Sequence, residues 1–143
     1  LTDIHSLGLK NTEGLLHTTS WYWDMNDESR KFANKFFAKT KRMPTDVQAA
    51  DYSAVMNYLK AVEAVKTTNA DKVMAYLKST PINDFYGKGV IRPDGTFADD
   101  MYLVEAKKPS ESTKPWDYLK VLTKLPADTV WTTKAETKCA LWK

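Results

Sequence analysis

Residues 43–59, MPTDVQAADYSAVMNYL, constrain the fold more than any other stretch of the chain. Pro44 stops whatever helix precedes it. Thr45 then stands where an N-cap belongs, and Gln48 three residues later completes a capping-box pattern. Val47, Ala50, Ala54, Val55, Tyr58, Leu59 and Val62 recur at helical spacing, which predicts a helix from Thr45 to about Lys66 with one continuous apolar face. Ala49, Ala50, Ser53 and Ala54 keep part of that surface slim, so another element can approach closely. Such a helix belongs in a core, because helices draw most of their stability from packing an amphipathic face.

Its neighbours read as elements that need the same core. Asn26 or Asp27 caps a helix over 27–41, Asp27 and Glu28 suit its N-terminal dipole, and Lys39, Lys41 and Arg42 suit its C-terminal end. Phe32, Ala33, Phe36 and Phe37 form its buried stripe. A third helix follows Asn69, with Val73, Met74, Tyr76 and Leu77 on its apolar side and Pro81 just past its end. Three amphipathic helices in succession need a surface to cover.

Outside the helices the period shortens. Residues 2–6 read as a polar turn, and 14–19, GLLHTT, as a short buried strand. Trp21, Tyr22 and Trp23 follow; on a strand successive side chains alternate, so at least one faces away from the others. They make either a core corner or the aromatic wall of a ligand cleft. Residues 89–92 predict a strand, PDGT a turn, and Phe97 the start of a second extended segment. Residues 101–105, MYLVE, are the most strand-like run, and 110–114 a loop. Residues 118–125 alternate as an edge strand ending at Pro126, with a helix from Asp117 as the competitor. The tail, 129–143, carries Trp131, Leu141 and Trp142 without a clear period.

At 143 residues, 43% hydrophobic and 27% charged, the chain suits one globular domain. A net charge of +3, widely dispersed, gives no footprint for nucleic acid. No apolar run is long enough to span a bilayer, and no signal-peptide pattern opens the chain. His5 and His17 are the only histidines, and neither stands at zinc-ligand spacing with Cys or Glu. Asp3 and His5, two apart, share a face on a strand or a hydrogen bond in a loop. No glycine-rich phosphate loop or nucleophile elbow occurs. No enzyme, metal site or cofactor is expected. The first residue is Leu1, and the single cysteine is Cys139. An odd cysteine in a secreted protein implies a partner elsewhere, so the chain reads as a piece of a longer one.

Taken in order, TDIHSLGLKNTEGLLHTT, SWYWD, DESRKFANKFFAKTKRMP, TDVQAADYSAVMNYLKAV, ADKVMAYLKSTP and RPDGTFADDMYLVEAKKPSE carry a resemblance. The set resembles the C-terminal portion of a branched-chain amino-acid-type substrate-binding protein of an ABC importer, a type I periplasmic binding protein. Tyr52 and the turn at 92–95 are its most specific pieces. The resemblance implies a partial α/β fold of a two-lobed protein with three crossing segments. Here it would contain three amphipathic helices, a β-hairpin and an extended tail.

Residues 1–23 then correspond to the end of the second lobe and a hinge crossing, and 24–99 to the C-terminal part of the first lobe. Residues 100–105 form another crossing, and 106–143 a tail on the second lobe. The implied location is periplasmic, with the signal peptide outside this chain. The implied partners are a membrane permease and a small ligand, an amino acid or an aromatic carboxylate. Val47 and Gln48 match the segment that forms the side-chain end of the pocket in relatives; Trp21, Tyr22, Asp3 and His5 are the further candidates. Because most of both lobes lies outside the chain, it is not expected to bind a ligand alone, and its uncovered helices invite self-association. A ligand-sensing or structural domain of the same fold is the alternative.

Overall fold

The computed structural model describes residues 1–142, so Lys143 at the end of the expected tail lies outside the described residues. Helices α1 (Thr2–Leu7) and α2 (Leu9–Thr12) lead into strand β1 (Leu16–Thr19). Helices α3 (Asp27–Thr40), α4 (Asp46–Val65) and α5 (Ala70–Ser79) come next. Short strands β2 (Ile82–Asn83), β3 (Lys88–Ile91) and β4 (Phe97–Ala98) precede β5 (Met101–Ala106). A 3-10 turn (Pro109–Glu111), β6 (Leu119–Leu125) and α6 (Ala127–Val130) complete the described chain. Two antiparallel three-stranded sheets result, ordered β1-β5-β6 and β2-β3-β4.

The opening segment departs from expectation. Residues 2–6 are helical rather than a turn, anchored by the buried Ile4 and ended at Gly8, whose positive φ of 80° frees its N–H to bond the Ile4 carbonyl at 2.8 Å. One apolar anchor in six residues leaves no period to read. The strand that follows is present but not buried. Leu15 and Leu16 are exposed and only Thr19 is covered, because β1 is an edge strand paired with β5 alone.

The helix boundaries follow the caps. Asn26 Oδ1 accepts the Ser29 N–H at 2.9 Å to begin α3, and Asn69 Oδ1 accepts the Lys72 N–H at 3.2 Å to begin α5. At the head of α4, Gln48 Oε1 accepts the Thr45 N–H at 2.8 Å. The predicted core face of α4 is corrected by the structure. Val47 and Val55 are 60% and 57% exposed, Tyr58 and Leu59 are also exposed, and Ala49, Ser53 and Ala61 are buried instead. The slim side is the packed side. It admits the loop after β2, where Asp84 Oδ2 accepts from Ser53 Oγ at 2.7 Å and Asn57 Nδ2 at 2.9 Å. Among the described residues nothing covers the bulkier apolar face.

The hairpin and the last strand form as expected. Asp94 Oδ1 accepts the Thr96 N–H at 3.0 Å in the β3–β4 turn, and β6 runs as an edge strand beside β5 to Leu125. The tail gains one helical turn, α6, and Trp131 Nε1 donates to the Asp99 carbonyl at 2.7 Å.

Trp21, Tyr22 and Trp23 are all buried, at 2–4% exposure. The chain bends here instead of running as a strand, so alternation does not apply and the three make a core corner. Trp21 packs edge-on against Phe32 and Phe85. Tyr22 and Trp23 turn the other way. Tyr22 Oη and Trp23 Nε1 both donate to the Trp116 carbonyl, at 3.0 and 2.9 Å, while Tyr22 Oη accepts the N–H groups of Tyr118 and Leu119 at 3.1 and 3.4 Å. Burial raises the pKa of this hydroxyl above that of an ordinary tyrosine.

Two stability outcomes follow from this packing. Tyr22→Phe should cost about 1–3 kcal/mol in urea unfolding, since it strands buried backbone donors. Tyr118→Phe, losing only its bond to the exposed His5, should stay within about 0.5 kcal/mol. A Cβ at Gly89 would stand 2.1 Å from the Ala98 carbonyl oxygen, so Gly89→Ala should open the hairpin. Hydrogen exchange at Val90 and Ile91 would then lose protection.

Candidate functional site

Thr19 closes β1 and bends the chain. Its Oγ1 donates to the Trp21 carbonyl at 2.9 Å, turning the backbone out of the sheet and toward the helices. That bend brings His17, Thr18 and Thr19 of β1 up to Pro44, Thr45 and Asp46 at the head of α4. Trp21, Tyr22, Leu1 and Leu119 complete a crevice of about 90 Å³. The fully buried Pro44 holds the start of α4 in place, and Asp46 lies in the first turn, where the helix dipole favours a carboxylate.

His17 is the polar group here without a protein partner. Its Nδ1 is buried and, among the described residues, makes no hydrogen bond. Burial lowers its pKa below 6.5, the Leu1 amino group adds to that, and Asp46 opposes it. The ring is therefore neutral at neutral pH. Around it stand threonine hydroxyls, the Asp46 carboxylate and the Trp21 ring. That set offers hydrogen-bonding groups to a small polar molecule. Among the described residues no group of three His, Cys, Asp or Glu could hold a metal ion. The volume is well below the roughly 300 Å³ at which ligand pockets begin. The crevice is too small to enclose a ligand by itself.

The residues singled out from sequence divide around it. Trp21 and Tyr22 line the crevice. Val47 and Gln48 follow Asp46 on α4 but do not line it; Val47 faces solvent, and Gln48 Oε1 is engaged with Thr45. Asp3 is exposed on α1. The ring of His5 stacks on Trp116 at 3.9 Å and its Nδ1 shares a hydrogen bond with Tyr118 Oη at 2.8 Å. Since α1 is a helix, residues two apart do not face each other, and the expected pairing of Asp3 with His5 is absent. His17 and Asp46 were not singled out. The signal was slight: His17 and Thr19 share a face by strand alternation, and Asp46 immediately follows the capping Thr45.

A model of the periplasmic binding protein family matches residues 1–113. The chain belongs to this family. A periplasmic binding protein from Burkholderia mallei is 57% identical, with a TM-score of 0.97 over 99% of this chain and 38% of that one. A branched-chain amino acid ABC transporter periplasmic ligand-binding protein from Burkholderia xenovorans is 42% identical, with a TM-score of 0.95 over the same shares. An amino acid ABC transporter substrate-binding protein from Pseudomonas fluorescens, 22% identical, shares the fold at a TM-score of 0.85 over 98% of this chain and 37% of that one. No curated protein sequence matches the chain. The architecture is therefore part of the α/β type I periplasmic-binding-protein fold, and the chain spans 38% of the length of the two Burkholderia proteins. The expected three amphipathic helices and the hairpin are present as α3, α4, α5 and β3–β4, and among the described residues three short helices and a second sheet accompany them.

The state of His17 is measurable. A folded-state pKa below 6.5 means that the unfolded chain binds the extra proton first, so stability is full above about pH 6.5 and declines as pH falls toward the folded value. NMR should show His17 titrating below the ordinary histidine value of 6.5, and His17→Gln should remove that part of the decline.

Proposed function

We propose that the chain forms the C-terminal part of the extracytoplasmic solute-binding component of an ABC importer. The complete protein captures a small carboxylate-bearing ligand, an amino acid or an aromatic acid, between two lobes and delivers it to a membrane permease. The observation that carries this reading is the crevice itself, where β1, the 20–23 bend and the head of α4 converge with an unpaired polar nitrogen among them. In this reading residues 1–23 end the second lobe and cross over, 24–99 return to the first lobe, 100–105 cross back, and 106–143 lie on the second lobe. The similarity to the two Burkholderia proteins, one of them a branched-chain amino acid ABC transporter periplasmic ligand-binding protein, supports it. Among the described residues no helix is long and apolar enough to cross a membrane.

Trp21, Tyr22, His17 and Asp46 form the ligand wall, with Val47 and Gln48 beside it. Asp3 and His5 are the outermost candidates. The chain alone does not enclose the transported ligand, because this crevice of about 90 Å³ is too small for one, and its exposed Val47, Val55, Tyr58 and Leu59 favour association with a second copy.

A chimera carrying this chain in place of the equivalent segment of the Burkholderia mallei protein tests the reading by thermal shift. The panel comprises aliphatic amino acids, aromatic amino acids and aromatic carboxylates. A ligand at a hundredfold its dissociation constant should add about 2.7 kcal/mol to the chimera. The chain alone should show no shift with the aromatic carboxylates, which carry no ammonium group, and should elute from a sizing column as more than a monomer. A folded chimera silent to the whole panel overturns the binding reading; a monomeric or carboxylate-responsive chain overturns the account of the fragment.

A further inference from the structure

A second cavity, of about 330 Å³, lies where the two connections between the β1-β5-β6 sheet and the helices come together. Ser20 and Trp21 reach it from one connection, and Asp99 and Asp100 from the other. The first turn of α3 and the loop at 84–88 close one side, and Lys124 of β6 stands on the other. Its volume falls in the range of small-molecule sites.

The charges around it do not balance. Glu28, Asp84, Asp99 and Asp100 face Lys88 and Lys124. Asp100 is satisfied by Lys124 Nζ at 2.5 Å and by the Ala127 N–H at 2.9 Å. Asp84 is satisfied by Ser53, Asn57 and the Tyr86 N–H. Asp99 is different. It is 3% exposed, and among the described residues no other residue donates a hydrogen bond or an ion pair to its carboxylate. A Cβ built on Gly87, which lines the same cavity, would stand 2.8 Å from Asp99 Oδ2, so the carboxylate rests against the cavity wall. Burial pushes its pKa up to about 6, with Asp100 adding to the shift. Above that pH it is a buried anion without a counter-charge, a costly state.

A second group points the same way. Ser29, at 0% exposure, lines the cavity and its Oγ has no partner among the described residues. Ser20 Oγ and Tyr86 Oη, 2.7 Å apart, add further oxygens. The wall thus sets hydroxyl and carboxylate oxygens that can accept from an ammonium group beside the Lys88 and Lys124 side chains. The carboxylates are not grouped in threes as a metal ion would require.

We infer that this cavity binds a small primary ammonium compound, with the Asp99 carboxylate as its counter-ion. The inference stands on the cavity itself and does not depend on the transport reading. Ethylammonium chloride, titrated into the isotopically labelled chain at about pH 7.5 and constant ionic strength, is the probe. Saturable shifts are expected at the amides of Ser20, Ser29, Gly87 and Asp99, with none from sodium acetate. Asp99→Asn should weaken binding about tenfold or more. Lys88→Gln, which removes a competing cation, should strengthen it. Repeating the titration of the unaltered chain at about pH 5, where Asp99 is protonated while Lys88 and Lys124 stay charged, should abolish the saturable shifts without any substitution. Absence of saturable shifts at these amides, equal shifts from acetate, or undiminished affinity at the lower pH or in a folded Asp99→Asn chain would overturn the assignment.

Discussion

The carbonyl of Trp116 is the point on which the rest of the structure hangs. Two aromatic side chains from the bend after β1 donate to it, and one of them, Tyr22, also accepts the N–H groups of the two residues that open β6. Trp116 adopts a positive φ of 67°, a conformation that a bulky residue holds only where its surroundings impose it. Asp117 beside it is held by Lys107 and by both donors of Thr113. Desolvation pushes the Asp117 carboxyl up, but these partners outweigh it and hold it below the usual carboxylate range. Segments more than ninety residues apart are fastened through one buried oxygen.

That fastening sets the direction in which the chain leaves the sheet, and so decides which residues meet at the crevice. His17 and Asp46 face a common space because Thr19 and Trp21 make the bend between them, not because of any spacing in sequence. The same bend places Ser20 and Trp21 against the Asp99 connection. Two cavities of different chemistry therefore share one structural cause.

Helix α4 shows where a periodic signal misleads. Its caps and length were legible, since they depend on Thr45, Gln48 and local propensity. Its packed side was not. Hydrophobic periodicity names the face that would gain most from burial, but the contacts available here favour Ala49, Ser53 and Ala61, which let the Asp84 loop approach and satisfy Ser53 and Asn57. Val55, Tyr58 and Leu59 remain exposed in a chain that spans 38% of its Burkholderia relatives. Periodicity marks an apolar face but carries no record of which face finds a contact.

What the sequence determined by itself was local: the capped helices at α3, α4 and α5, the β3–β4 turn at Asp94, the central strand β5 and the edge strand β6. Each rests on interactions spanning a few residues, and those are written in spacing and residue type. The ordered set of such elements also carried the family resemblance. Only the tertiary structure decided that the start is helical, that all three aromatics at 21–23 are buried, and that His17 Nδ1 and Ser29 Oγ are buried without a partner among the described residues. These are outcomes of burial and of contacts between distant segments. An isolated position in sequence carries no record of whether water, another side chain or an empty cavity will stand beside it.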